Sequence, residues 1–149
     1  MRLCFLVFTG FVLVSTAEVN PCIEDLPKSY GHVVVDSIVG VYDGDTFTVR
    51  IEEWPPIIGE AISVRVSGVD TPEIRGQCPA EKRLAKKARA FTRDVVTGAR
   101  QVELRNLRRD KYFRLLADVC VDGRALSTWL VEEGLGYPYE GHTKQSWCK

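Results

Sequence analysis

From Val33 to Tyr42 the chain is largely β-branched and apolar, and from Thr46 to Ile51 it again runs through strand-type residues, with Asp43-Gly44 between. This predicts two strands joined by a tight turn, because Asp-Gly suits a type I′ turn whose central residues both need positive φ. The stretch EEWPPIIGE from Glu52 to Glu60 interrupts the pattern with two prolines and a glycine. Ile62, Val64 and Val66 then alternate with Ser63, Arg65 and Ser67, so a third strand has one apolar and one polar face, with Arg65 on the polar one. The period changes from Ala80 to Val96. There Leu84, Ala88, Phe91 and Val95 recur at helical spacings while Lys86, Lys87 and Arg93 take other faces, predicting an amphipathic helix. Val102 and Leu104, alternating with Gln101 and Glu103, predict a short fourth strand, and Tyr112 to Val121 a fifth that ends in the turn Asp122-Gly123. A closing helix is expected over Ala125 to Glu133, capped by Gly134, since glycine tolerates the left-handed conformation at a helix end.

The expected order is three strands, a helix, two strands, a helix and the tail YPYEGHTKQSWCK. An α+β, mainly β fold follows. A five-stranded Greek-key barrel of the OB type, with a helix between strands three and four and a C-terminal helix, fits this order, although periodicity alone also permits another α+β arrangement. The length of 149 residues suits one domain with one core.

Composition adds a destination. Leu3 to Val14 is an apolar run behind Arg2, followed by the small residues Ser15-Thr16-Ala17, which reads as a cleaved export signal over residues 1–17. The run is shorter than the roughly 18–20 residues a membrane helix needs, so no stable membrane association is expected after cleavage. Residues 18–31 then form an N-terminal extension and 32–149 the domain. Cleavage leaves Cys22, Cys78, Cys120 and Cys148, which suits one or two disulfides in a periplasmic or secreted protein, with the pairing open. Cys148 is placed to tie the tail onto the domain. With no Cys-x2-Cys pair and only His32 and His142, structural zinc is not expected. Twenty basic and twenty acidic side chains argue against coating nucleic acid through bulk charge, but basic residues cluster from Arg75 to Arg89 and from Arg105 to Arg114.

Asp43, Asp45, Asp70 and Glu73 carry the candidate chemistry. Turn formation accounts for Asp43; it leaves Asp45, on the strand side of the turn, and Glu73, after Pro72, without a structural role. Asp45 and Asp70 are hard oxygen ligands 25 positions apart, so only the fold can bring them to one metal. An EF-hand starting at Asp43 fails, because its sixth and twelfth positions hold Thr48 and Trp54. A phosphatase-like Asp-x-Asp-x-Thr fails at Phe47. Two aspartates, one glutamate, Arg65 on a strand and Arg114 at the start of strand five are the types that phosphodiester hydrolysis needs: a seat for a hard cation, a handler of water and planar donors for phosphate oxygens.

On four segments in order, DGDT at Asp43 to Thr46, VRVSGVDTPE at Val64 to Glu73, DKYFR at Asp110 to Arg114 and LVEEGLGYPY at Leu130 to Tyr139, the chain resembles the staphylococcal nuclease (thermonuclease) family, in the manner of an exported or plasmid-type bacterial member. The resemblance runs from about His32 to Tyr139. It implies an OB barrel with helices and a monomeric, calcium-dependent endonuclease that hydrolyses DNA and RNA and leaves 3′-phosphate ends. It also implies that Asp45 and Asp70 hold one Ca²⁺ with the backbone carbonyl of Thr71, that Glu73 activates or orients water, and that Arg65 and Arg114 hold the phosphate. Lys111, Tyr112, Tyr137 and Tyr139 match positions near the bound nucleotide; Asp43 is read first as a turn residue, with assistance to the cation through water as its second reading.

The chain departs from the family between Ile74 and Lys82, where Cys78-Pro79 stands in place of a long flexible loop, in EEWPPIIGE, and at Phe113, where a small residue is usual. The rival readings are a catalytically inactive OB-type nucleic-acid-binding module, whose signature would be lost carboxylates, and an exported structural or calcium-binding protein, which would need no arginine pair.

Overall fold

A strand buries one face by alternation, and the runs of Val, Ile and Phe identified above do so here, although they are cut into more pieces than expected. The computed structural model describes residues 22–23 and 28–148; the segment read as an export signal, 1–17, lies outside them. The elements are β1 (Val33–Val34), β2 (Ser37–Val41), β3 (Thr46–Arg50), α1 (Pro56–Gly59), β4 (Ile62–Val66), β5 (Gly68–Asp70), α2 (Pro79–Gly98), β6 (Val102–Arg109), β7 (Leu115–Val121), β8 (Arg124–Ala125), α3 (Leu126–Glu132) and β9 (Tyr137–Tyr139). The main sheet runs β1-β6-β7-β4-β3-β2 with β8 beside β7, and β5 pairs with β9 in a two-stranded sheet. Of the main-sheet pairings, β4–β7 is parallel and the rest antiparallel.

β1 and β2 are consecutive in the chain yet stand at opposite ends of the sheet order. The backbone N–H of Val35 bonds to the carbonyl of Val102 and that of Asp36 to the carbonyl of Arg50, so one run of chain changes partners and draws the two ends together. The result is a curled, mixed, OB-like half-barrel with few helices. It encloses Phe47, Val49, Ile51, Val64, Val66, Leu104, Val119, Leu126 and Leu130, all at 2 % exposure or less.

Several boundaries differ from the expectation for identifiable reasons. The first expected strand is two, because of that change of partner. The fourth extends to Arg109: a register shift between Arg105 and Arg108, with Asn106 at φ 51°, breaks the alternation that would have revealed it. The fifth begins at Leu115 rather than Tyr112. The Asp110 carboxylate accepts from the backbone N–H groups of Tyr112 (2.7 Å) and Arg114 (3.1 Å), and Phe113 takes φ 61°, so Tyr112 to Arg114 form a side-chain-organised loop. In the proline-rich interruption, Pro56 opens a four-residue helix, a position where the missing N–H costs nothing.

The long helix α2 turns a different face inward than its large residues suggested. Glu81, Ala85, Ala88, Thr92 and Val96 are buried, whereas Leu84, Phe91 and Val95 are half-buried. The cause is close approach to the Asp43-Gly44 turn. Thr92 Oγ1 donates to the Gly44 carbonyl (2.6 Å), and a Cβ on Gly44 would lie 2.8 Å from Ala88 Cβ and from Thr71 Cγ2. Neither Asp43 nor Gly44 has positive φ, so this is not the expected type I′ turn, and the glycine is there for space. Asp122-Gly123, with φ 48° and 84° between β7 and β8, is the turn in which Asp-Gly plays its conformational role. Among the described residues there are two disulfides, Cys22–Cys120 and Cys78–Cys148, and the second ties the tail to the residue that precedes α2.

Candidate active site

The site forms where β3, β4 and β5 begin or end together. Thr46 pairs with Arg65, and the Val66 N–H bonds to the Asp45 carbonyl (2.8 Å), so Asp45 and Arg65 are held side by side by backbone alone. Past Ser67, Gly68 at φ 80° swings the chain into β5, which ends at Asp70 opposite Tyr137. Asp45 Oδ2 accepts from the Thr71 N–H (2.8 Å), closing the ring of contacts.

Arg65 is the hub. Its NH1 lies 3.0 Å from Asp45 Oδ2 and its NH2 3.5 Å from Asp70 Oδ1, while NH1 also donates to the Val66 carbonyl at 2.9 Å. On the polar face expected for this strand Arg65 is therefore buried, because two carboxylates cover it, while Ser63 and Ser67 are half-buried. Asp43, Asp45 and Asp70 are each at 5 % exposure or less, and such an ensemble keeps its charge only with cations beside it. Burial, then the negative charges of Asp45 and Glu73, push the Asp43 carboxyl up to about 7. Burial also raises Asp70, outweighing the bonds and charges of Lys144 and Arg65 that favour its ionised form. An oxygen-only set of this kind suits a hard divalent cation rather than zinc. Thr71 Oγ1 adds a buried oxygen without a hydrogen-bond partner.

Glu73 is exposed at the rim, open to water. Its backbone N–H donates to Glu81 Oε1 (3.3 Å), and Gln77 N–H donates to Glu81 Oε2 (2.8 Å). Glu81, in the first turn of α2, thus organises the loop that carries Glu73, with the helix dipole favouring its negative charge. No periodicity argument singles it out, since it sits on a helix among charged neighbours.

Arg65 lies on β4, and Arg114 ends the loop that leads into β7, one residue before Leu115, which pairs with Val64 of β4. Arg114 is not joined to the carboxylate cluster. Its Nη2 (2.6 Å) and Nε (2.7 Å) both lie on the single oxygen Asp110 Oδ2, which fixes the planar head. Burial works against the Asp110 carboxylate, but its bonds from Arg114 and from the Tyr112 and Arg114 backbone hold its pKa below the ordinary value. Lys111 and Tyr112 stand exposed on this loop, the ammonium 5.0 Å from the ring centre, so Tyr112 does not pack in the barrel. Tyr139, opposite Gly68, lines a cavity of about 450 Å³ together with Arg65, Ser67, Arg108, Leu116 and Asp118. Tyr137 stacks on Trp147 with ring centres 4.0 Å apart. The tail contributes one residue the motifs do not reveal: Lys144, whose Nζ lies 2.7 Å from Asp70 Oδ1 and 3.0 Å from Glu73 Oε1.

The sequence model of the family described as Staphylococcal nuclease homologue matches residues 63–147, which includes Arg65, Asp70, Thr71, Glu73, Arg114 and the tail. The chain belongs to the staphylococcal nuclease family. The match starts at β4, and Asp45, which lies upstream of it, is tied to the matched part by its contacts with Arg65 and Thr71. The chain is also similar to Endonuclease YncB of Bacillus subtilis (strain 168), 37 % identical over 122 residues, covering 78 % of this chain and 54 % of the relative. It is 36 % identical over 107 residues to the SPbeta prophage-derived endonuclease YokF of the same organism, covering 68 % of this chain and 34 % of that protein. It therefore spans about half the length of the first nuclease relative and a third of the second. Among the described residues no helix is long and apolar enough to cross a membrane.

Proposed function

We propose that this chain is an exported, calcium-dependent endonuclease that hydrolyses phosphodiester bonds of DNA and RNA and leaves 3′-phosphate ends, on a five-stranded OB-type barrel elaborated by the shorter strands. The observation that carries the reading is the convergence of Asp45 and Asp70, from separate strands, on the two terminal nitrogens of Arg65. A merely structural ion pair has no need of a second carboxylate, with an exposed glutamate three residues beyond Asp70 and a second arginine, held by Asp110, one residue before the strand that pairs with β4.

Asp45, Asp70 and the Thr71 carbonyl would hold one calcium ion, with Asp43 assisting through water. The buried, oxygen-only donors support that set, and the Asp43 carboxyl, raised first by burial and then by the negative charges of Asp45 and Glu73, is consistent with it. The ion supplies charge neutralisation to the phosphate and its developing negative oxygens.

Glu73, at the open rim, takes a proton from the attacking water or orients it, a task that requires the ionised form. Arg65 and Arg114 present planar pairs of N–H donors to the non-bridging oxygens. Because charge on those oxygens grows during attack, such donors bind the transition state more tightly than the substrate. Arg114 is pre-aligned for this by Asp110. The 5′-oxygen leaves and the phosphate remains on the 3′ side. Lys111 and Tyr112 on their exposed loop, and Tyr137 and Tyr139 on β9, would serve phosphate contact and base stacking, Tyr137 with one ring face already taken by Trp147.

Incubating the protein with plasmid DNA and with RNA, with Ca²⁺ and with chelator, tests this. Cleavage of both that stops with chelator is expected. Binding without cleavage in any metal would instead indicate an inactive nucleic-acid-binding module.

A further inference from the structure

The tail beyond β9 does more than end the chain. Two anchors hold it: Trp147 stacks on Tyr137, the residue paired with Asp70, and Cys148 is bonded to Cys78, five residues after Glu73. Between β9 and these anchors the chain bends at residues 140–142, with Gly141 at φ 90°, and Lys144 follows onto the carboxylates. Its ammonium bridges Asp70 Oδ1 (2.7 Å) and Glu73 Oε1 (3.0 Å), and the same Asp70 oxygen lies 3.5 Å from Arg65 NH2. The Lys144 side chain is 49 % exposed, so it is not a core ion pair that the fold needs.

Resting on the reading above, we propose that Lys144 is a tethered internal cation that competes with the divalent metal ion for Asp70 and Glu73, and so sets the metal concentration at which the site loads. A lysine free in solution would hold such a position weakly, because ordering its long side chain offsets a solvent-screened attraction. The disulfide and the ring stack make the contact intramolecular, with the effective concentration of a short tether. A divalent ion using Asp70 meets the ammonium on the same oxygen, and like charges at that separation exclude one another, so loading requires Lys144 to withdraw. Without metal, Lys144 compensates the buried Asp70 and keeps the acidic cluster from repelling itself. The two roles are one competition, read from either side.

The test is calorimetric titration of Ca²⁺ into the oxidised wild-type protein, Lys144→Gln, Lys144→Arg, the Cys78→Ser/Cys148→Ser double variant, that double variant carrying Lys144→Gln, and Asp70→Asn. Lys144→Gln is expected to tighten Ca²⁺ binding by roughly tenfold, and the untethered double variant by a similar factor. Their combination should add nothing further, and Lys144→Arg should stay near wild type. Unchanged or weaker affinity in Lys144→Gln overturns the proposal, as do additive effects of tether and lysine. Lys144→Gln keeps it falsifiable should the cysteine variants fail to fold, since it alters only a half-exposed side chain. Asp70→Asn separates the two levels. If it abolishes Ca²⁺ binding while Lys144→Gln changes nothing, only the internal cation falls; if Ca²⁺ binds neither the wild type nor Lys144→Gln, or binds Asp70→Asn equally well, the metal site falls with it.

Discussion

Replacing Gly44 with alanine tests whether the turn before Asp45 is held by close packing against α2. The added Cβ would lie 2.8 Å from Ala88 Cβ and Thr71 Cγ2 and 2.9 Å from Thr71 Cβ, well inside the roughly 3.5–4.0 Å at which carbon atoms rest. None of these atoms sits at the end of a flexible side chain. Alanine has no rotamer to change, and threonine is branched at Cβ and stiff. The turn and α2 must therefore separate, which also strains the 2.6 Å bond from Thr92 Oγ1 to the Gly44 carbonyl. Overpacking of this kind costs about 1–3 kcal/mol, and a weakened buried hydrogen bond about 1 kcal/mol more, so a total of about 2–4 kcal/mol is expected. The shift moves Asp45 away from the Thr71 N–H, so Ca²⁺ affinity should fall together with stability. Urea denaturation with and without Ca²⁺ measures both. Gly98→Ala is the control: it lies in the same helix with open space around its Cβ and should be neutral or stabilising by up to about 1 kcal/mol. A Gly44→Ala protein within about 0.5 kcal/mol of wild type, the range usual for surface substitutions, would refute the close-packing account.

Glu73→Gln is expected to lower turnover about 10²–10⁴-fold while Ca²⁺ still binds, and undiminished cleavage with bound Ca²⁺ would remove Glu73 from the chemistry. Arg114→Lys keeps the charge but loses the planar pair of donors; kcat on plasmid DNA should drop about 10²–10³-fold with a smaller change in KM, and near-normal kcat would mean that a point charge suffices. The Asp43 carboxyl, raised to about 7, and that of Asp70, also raised, bind protons in the folded protein that the unfolded chain has already released above about pH 4. Metal-free stability should therefore fall as pH rises from about 4 to 7, by on the order of a few kcal/mol, with Ca²⁺ restoring it at pH 8. Asp110, whose pKa is lowered, acts in the opposite sense only at more acidic pH. Thermal melts at pH 5 and pH 8 in chelator measure this, and a flat or rising profile would contradict it.

Sequence alone determined what depends on neighbours along the chain. The alternation of Ile62, Val64 and Val66, the helical spacing from Ala80 to Val96 and the left-handed Gly134 are local signals, and the elements they indicate are present. The residue types of the candidate site were legible too, as a set of carboxylates and arginines in spaced motifs. Tertiary structure decided where those groups meet and what surrounds them. It put Arg65 under two carboxylates, turned Ala85, Ala88 and Thr92 of α2 inward ahead of Leu84 and Phe91, gave Gly44 a steric and Gly123 a conformational reason for being glycine, and brought Lys144 onto Asp70 across 74 positions of sequence. Periodicity records which side of an element is apolar, not what packs there. Burial, and with it the strength of every charge in the site, is a property of contacts between segments far apart in the chain.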